Sequence, residues 1–419
     1  MHALRVSLLV VPIVIVIAGC SGLNVPTQPT GPQQVSQGPE FLYVATSKPG
    51  LLTFQVQPGG SLKAAPTGAS VPDSVCAAAL SATPGKIYSL SQLCPYSADP
   101  MELRRFDLGP SGDIIGGAGP FSLGPDLPSD TGHMFSFIAA PQGNFAYAWT
   151  FGNGREHITP IQIDAGGNMT AMPGLGISWP LENSPFAECE ELHSPIKVAT
   201  TSEGMFLAVS DGRVCLDDEA SSASYLIFQV DGQTGAVGSL IGQTKVDSPS
   251  NLGRLFTVQN GALMIVGGIF GPGETGSLQL FHVGMDGVKL LQQCQSDQPA
   301  CAHPLAAAFH PSGNWLFVSD MDANGIAHGI WTIPIVRGSL IATKASFVSV
   351  PDGVYKFAFS SDGKSLYAAQ WVNGKVSGQI SGFRVNDRTG ALTPMADSPW
   401  DLGVEFFITS LVHVGARDR

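Results

Sequence analysis

Ile380-Ser-Gly-Phe-Arg-Val-Asn-Asp-Arg-Thr-Gly-Ala-Leu-Thr-Pro394 reads as an alternating strand, a tight turn at Gly390 and a second short strand. Upstream, Ser365 opens another alternating run, SLYAAQW, after the turn Ser361-Asp-Gly-Lys. Before that turn lies a strand of small and aromatic residues from Tyr355, YKFAFS. The same unit recurs along the chain. Its turn glycines are Gly60, Gly112, Gly167, Gly235, Gly287, Gly338 and Gly390, spaced by 51 to 55 residues apart from one interval of 68. Glycine suits such turns because it takes a positive φ without strain. Each unit therefore predicts four strands, A to D, in about 50 residues, the length of a propeller blade.

The ends of the chain complete the pattern. FLYVATS from Phe41 is a B strand with no A strand before it, and EFFITSLVHV from Glu405 is an A-like strand with no B strand after it. The expected fold is all-β: a seven-bladed β-propeller of four-stranded antiparallel blades over residues 40–419, closed by the C-terminal strand joining blade one. Closure removes the exposed edge of an open array. Fifty Gly, 31 Pro and 13% charged residues agree with many short strands and turns.

Residues 1–19 read as a lipoprotein signal peptide: Arg5, an apolar run, then Ile17-Ala18-Gly19 before Cys20. This end resembles the bacterial lipobox, which implies cleavage before Cys20 and its lipidation. Residues 20–39 hold four Pro, four Gln and no charge and are expected to be a disordered tether. The expected location is extracytoplasmic, on the bacterial cell envelope and at the outer membrane, because Ser21 rather than Asp follows the cysteine. The membrane is thus a partner through the lipid anchor. A net charge of −12 with no basic cluster argues against nucleic acid.

Phe309-His-Pro-Ser-Gly-Asn-Trp-Leu-Phe-Val-Ser, Phe359-Ser-Ser-Asp-Gly-Lys-Ser-Leu-Tyr-Ala-Ala and the stretch from Ile380 resemble the hairpins of the lactonase-type seven-bladed propeller family. Its best-known members are 6-phosphogluconolactonases. The resemblance spans Phe41 to Val414 and is sharpest in the last two blades. It implies the propeller fold and, as an activity, hydrolysis of sugar lactones. The shared motifs build turns and carry no catalytic residue across.

Strand direction sorts the connections. A–B and C–D turns share one face, while D–A and B–C connections share the other. The second face holds every long connection: residues 117–132, 173–193, 212–224, 270–277 and 292–303. Long loops on a rigid scaffold are where binding usually sits, so a protein or glycan partner is expected there. All six cysteines after Cys20 fall on this face, and topology pairs them as Cys76–Cys94, Cys189–Cys215 and Cys294–Cys301. An even count in an exported chain favours disulfides. His133 and His303 each lie ten residues before a turn glycine, Gly143 and Gly313. Asn251 lies ten before Gly261, and His193 eleven before Gly204. These four are candidates for a polar ring at the channel mouth, binding a small ligand or supplying a catalytic base. The alternative is a set of side chains that bond loop carbonyls and water. No metal site or cofactor is expected: CxxC, HExxH, GxSxG and P-loop motifs are missing from the sequence. Two functions stay open, a binding scaffold and a lactone hydrolase. An acidic group, Glu182, Glu188, Glu190, Glu191, Asp217, Asp218 and Glu219, is expected to be a solvated rim.

Overall fold

The computed structural model describes residues 39–415, except for 47–49, 66–74, 84, 94–101, 122–132, 141–142, 153–154, 181–189, 192–195, 202–203, 215–222, 247–251, 260–262, 270–276, 285–286, 295–296, 322–326, 352, 373–374 and 403–407. The leader, Cys20 and the tether lie outside these residues. So do Cys94, Cys189, Cys215, His193 and Asn251.

The fold is an all-β propeller of antiparallel sheets, each built on four strands, in chain order in all but the first. The described strands form seven such sheets. The first joins Glu40–Thr46, Leu51–Val56 and Leu62–Ala64 to the C-terminal Ile408–Val414. In that junction Phe41 pairs with Val414 and Ala45 with Ser410. The inner strands of the others are Val75–Thr83, His133–Ala139, Ile196–Thr201, Leu252–Gln259, Pro304–Phe309 and Val354–Phe359. Each inner strand touches the next in this order, and Ile408–Val414 touches both Val354–Phe359 and Val75–Thr83.

Apolar side chains are buried between neighbouring sheets. Because side chains alternate across a strand, one strand serves two interfaces. Phe41, Tyr43 and Ala45 pack with Ile87 and Phe106 of the second sheet. Leu42 and Val44 pack with Tyr367, Ala369 and Ile380 of the seventh. This is why the B strands read as nearly continuous apolar runs: both faces are covered.

The outer strands depart from the simple four-strand reading. In the third sheet, Arg155–Ile163 pairs with Met169–Ala171 near one end and Ile177–Pro180 near the other. A short 3-10 turn, Pro173–Leu175, lies between them. The sixth sheet repeats this with Ala327–Val336, which pairs with Ser339–Leu340 and Ser346–Ser349 around Ala342–Lys344. Both breaks fall opposite a proline of the third strand, Pro160 or Pro334. Its carbonyl still accepts a bond, from Met172 N at 2.8 Å or Ile341 N at 2.9 Å. Proline has no N–H to continue a ladder, so the outer strand splits there. In the seventh sheet Gly382 takes this place, accepting from Met395 N at 2.9 Å, and Trp400–Asp401 is the second piece.

Candidate functional site at the loop face

On the tight-turn face, several contacts step from one sheet to the next. Tyr43 donates its hydroxyl to the Gly112 carbonyl at 2.6 Å, Tyr147 to Gly235 at 3.3 Å, and Tyr367 to Gly60 at 2.9 Å. The acceptors are the turn glycines of the following sheet, and the last of these bonds crosses from the seventh sheet to the first. Burial pushes Tyr147 and Tyr367 well above the ordinary tyrosine range. For Tyr367 the nearby carboxylates of Glu40 and Asp362 push the same way. Between the sixth and seventh sheets a buried histidine does this work. His310 donates from Nε2 to the Gly363 carbonyl at 3.0 Å and accepts the Ser312 N–H on Nδ1 at 3.1 Å. Where the ends of the propeller meet, His413 Nε2 lies 3.2 Å from Glu40 Oε2 and its ring stacks on Tyr367.

The opposite face carries the candidate residues. Close to it, the pairing of the inner strands slips by one residue in six of the seven sheets: at 77/79, 134/136, 255/257, 304/306, 354/356 and 408/410. Bulges near a barrel or channel rim re-aim side chains. Tyr355 stands at one bulge and reaches the next inner strand, where its hydroxyl donates to the Ile408 carbonyl at 3.0 Å and accepts the Ile408 N–H at 2.9 Å. Burial raises its pKa as well. Ser410 Oγ accepts Leu80 N at 3.1 Å, and Ser81 Oγ accepts Ala139 N at 3.1 Å, tying inner strands together in the same way.

His133 is the first residue of its inner strand, opposite Phe151. His303 is half-buried and follows the single turn of helix Pro299–Ala302, directly before the inner strand Pro304–Phe309. The two histidines therefore open inner strands as their register implied, but two other inner strands lie between theirs in the shorter direction. No group of three or more His, Cys, Asp or Glu stands close enough to hold a metal ion among the described residues.

Of the three expected disulfides, Cys294–Cys301 is formed, with its Cα atoms 5.9 Å apart. Both cysteines are buried. Cys76 lies in its inner strand and its expected partner Cys94 lies outside the described residues, as do Cys189 and Cys215.

The disulfide borders a cleft that the sequence reading missed. This cleft, of about 280 Å³, opens between the fifth and sixth sheets and is lined by Gln292, Gln293, Cys294, Asp297, Gln298 and residues 340–343. One wall is fixed by an amide clamp. Gln292 donates from Nε2 to the Leu340 carbonyl at 2.8 Å, and its Oε1 accepts the Leu340 N–H at 2.8 Å. A side-chain amide here does what a neighbouring strand would do. The polar run Gln292-Gln-Cys-Gln-Ser-Asp-Gln was the available signal, but nothing in it names the backbone it clamps.

No protein-family model matches the chain, and no curated protein matches its sequence. Solved structures match in fold. A candidate 6-phosphogluconolactonase from Bacteroides uniformis superposes with a TM-score of 0.60 at 14% identity, covering 90% of this chain and 100% of its own. One from Bacteroides fragilis gives 0.62 at 15% identity, covering 92% and 100%. A hypothetical selenium-binding protein from Sulfolobus tokodaii gives 0.51 at 11%, covering 89% and 93%. At these identities the likeness is one of fold, and function belongs to sites.

Proposed function

We propose that this chain is a cell-envelope lipoprotein whose seven-bladed propeller is a binding scaffold. In this reading residues 1–19 are removed, Cys20 carries the lipid, residues 20–39 are the tether, and Ile408–Val414 closes the ring as the inner strand of blade one. The pairing of Phe41 with Val414 and the Tyr367–Gly60 bond support the closure. The observation that carries the location is the Cys294–Cys301 disulfide downstream of an export-type leader, because such bonds persist in oxidising compartments. The anchor faces a direct test. Cells expressing wild type and Cys20→Ser are labelled with a radioactive fatty acid and partitioned with detergent. Label and detergent-phase recovery are expected in wild type and are expected to disappear in Cys20→Ser. Equal labelling of the two, or recovery of both in the aqueous phase, contradicts the anchor.

The fold shared with candidate 6-phosphogluconolactonases favours a second reading, a lactone hydrolase using His133 or His303 at the channel mouth. Purified protein is assayed on a panel of sugar lactones, with spontaneous hydrolysis subtracted. A rate above background that falls in His133→Ala or His303→Ala supports the enzyme, and background rates alone remove it.

A further inference from the structure

We infer that the cleft between the fifth and sixth sheets binds one neutral sugar unit. This deepens the scaffold reading by naming a ligand class, and it rests on that reading only in this respect. The walls are set before any ligand arrives. The Gln292–Leu340 clamp fixes one side, and the Cys294–Cys301 disulfide ties the end of strand Gly287–Cys294 to the helical turn on the other. A preformed cavity spares the ligand the cost of ordering its site. The lining then selects the chemistry. Gln293, Gln298 and Thr343 can each donate and accept, and the Asp297 carboxylate accepts from paired hydroxyls. Ile341 and Ala342 offer apolar surface to the C–H face of a ring. Among the described residues no Lys, Arg or His lines the cleft, so a phosphate or carboxylate would enter beside Asp297 without a counter-charge. At about 280 Å³ it lies at the small end of ligand sites, which suits one ring and not a chain of them.

Saturation-transfer NMR on the full chain in detergent tests this. The probes are methyl glycosides of glucose, galactose, mannose and N-acetylglucosamine, with 6-phosphogluconate as the anionic comparison. At least one glycoside is expected to bind, with 6-phosphogluconate weaker or silent. The double substitution Asp297→Ala/Gln298→Ala is expected to weaken binding by roughly tenfold or more, the loss of about two hydrogen bonds. Thr343→Trp, on the opposite wall, fills the cleft and is expected to abolish binding without disturbing the disulfide side. Unchanged melting and an intact disulfide certify the fold of each variant. Silence from all four glycosides overturns the inference, as does binding that survives both variants or tighter binding of 6-phosphogluconate. None of these outcomes alters fatty-acid labelling or lactone turnover, so the scaffold and anchor readings stand or fall separately.

Discussion

Gly112 shows how much one residue carries in this architecture. Its φ is +72°, and a Cβ built on it would lie 2.2 Å from the ring of Phe41, whose neighbour Tyr43 bonds the Gly112 carbonyl. Gly338 occupies the matching turn of the sixth sheet with φ +74°, and nothing lies within 4 Å of where its Cβ would stand. Gly112→Ala is therefore expected to cost roughly 2–5 kcal/mol, strain plus a clash, and Gly338→Ala only about 1–2 kcal/mol of strain. Urea denaturation midpoints decide it, and equal losses would show that the packing against Phe41 contributes nothing. The buried tyrosines make a pH prediction. Tyr147 and Tyr367 are fully buried with raised pKa values, so their neutral forms are favoured in the fold. Above about pH 10 the unfolded chain releases protons that the folded chain keeps. Stability then falls with rising pH, by about 1.4 kcal/mol per pH unit for each such group. Tyr367→Phe is expected to flatten part of that decline while costing about 1 kcal/mol near neutrality, the loss of one hydrogen bond. An alkaline slope as steep as wild type's would contradict the assignment.

At the level of elements, the strand Gly287–Cys294 depends on what holds its end. Separating Cys294 from Cys301 removes a small covalent loop, an effect of about 2–3 kcal/mol on the chain-entropy account. Cys294→Ser/Cys301→Ser is expected to lower the melting temperature and to speed amide exchange first in residues 287–294 and 299–302. Exchange that rises evenly over the whole propeller would instead mean that the bond acts on the unfolded chain alone. The strands themselves were legible in the sequence because alternation and turn glycines repeat at nearly constant spacing. Their neighbours were less so. Pro160 and Pro334 sit inside readable strands, and only the paired structure shows that each splits the outer strand opposite it. The Cys294–Cys301 pairing followed from topology. The cleft beside it did not, because the Gln292 amide recognises a backbone group 48 positions away. His133 begins the inner strand His133–Ala139 and His303 directly precedes Pro304–Phe309, but register along a strand says nothing about the distance between strands.

For the molecule as a whole, the first sheet is the decisive one, since it is assembled from both ends of the chain. A chain ending at Val404 would lack Ile408–Val414 and leave Glu40–Thr46 with an unpaired edge. Aggregation or a broad, non-cooperative melt is expected, and a melting curve like that of the full chain would contradict closure through this strand. The same junction has another consequence. Phe41 pairs with Val414, so the two ends of the folded chain lie side by side. A short linker could join them covalently, and the backbone could be reopened at the turn Arg337-Gly338, where a methyl group meets no neighbour. Such a circular permutant would convert every sheet into one made from a continuous stretch of chain except the sixth. It would also carry any N-terminal attachment from the first sheet to the sixth, two sheets away, without altering a single inter-sheet contact.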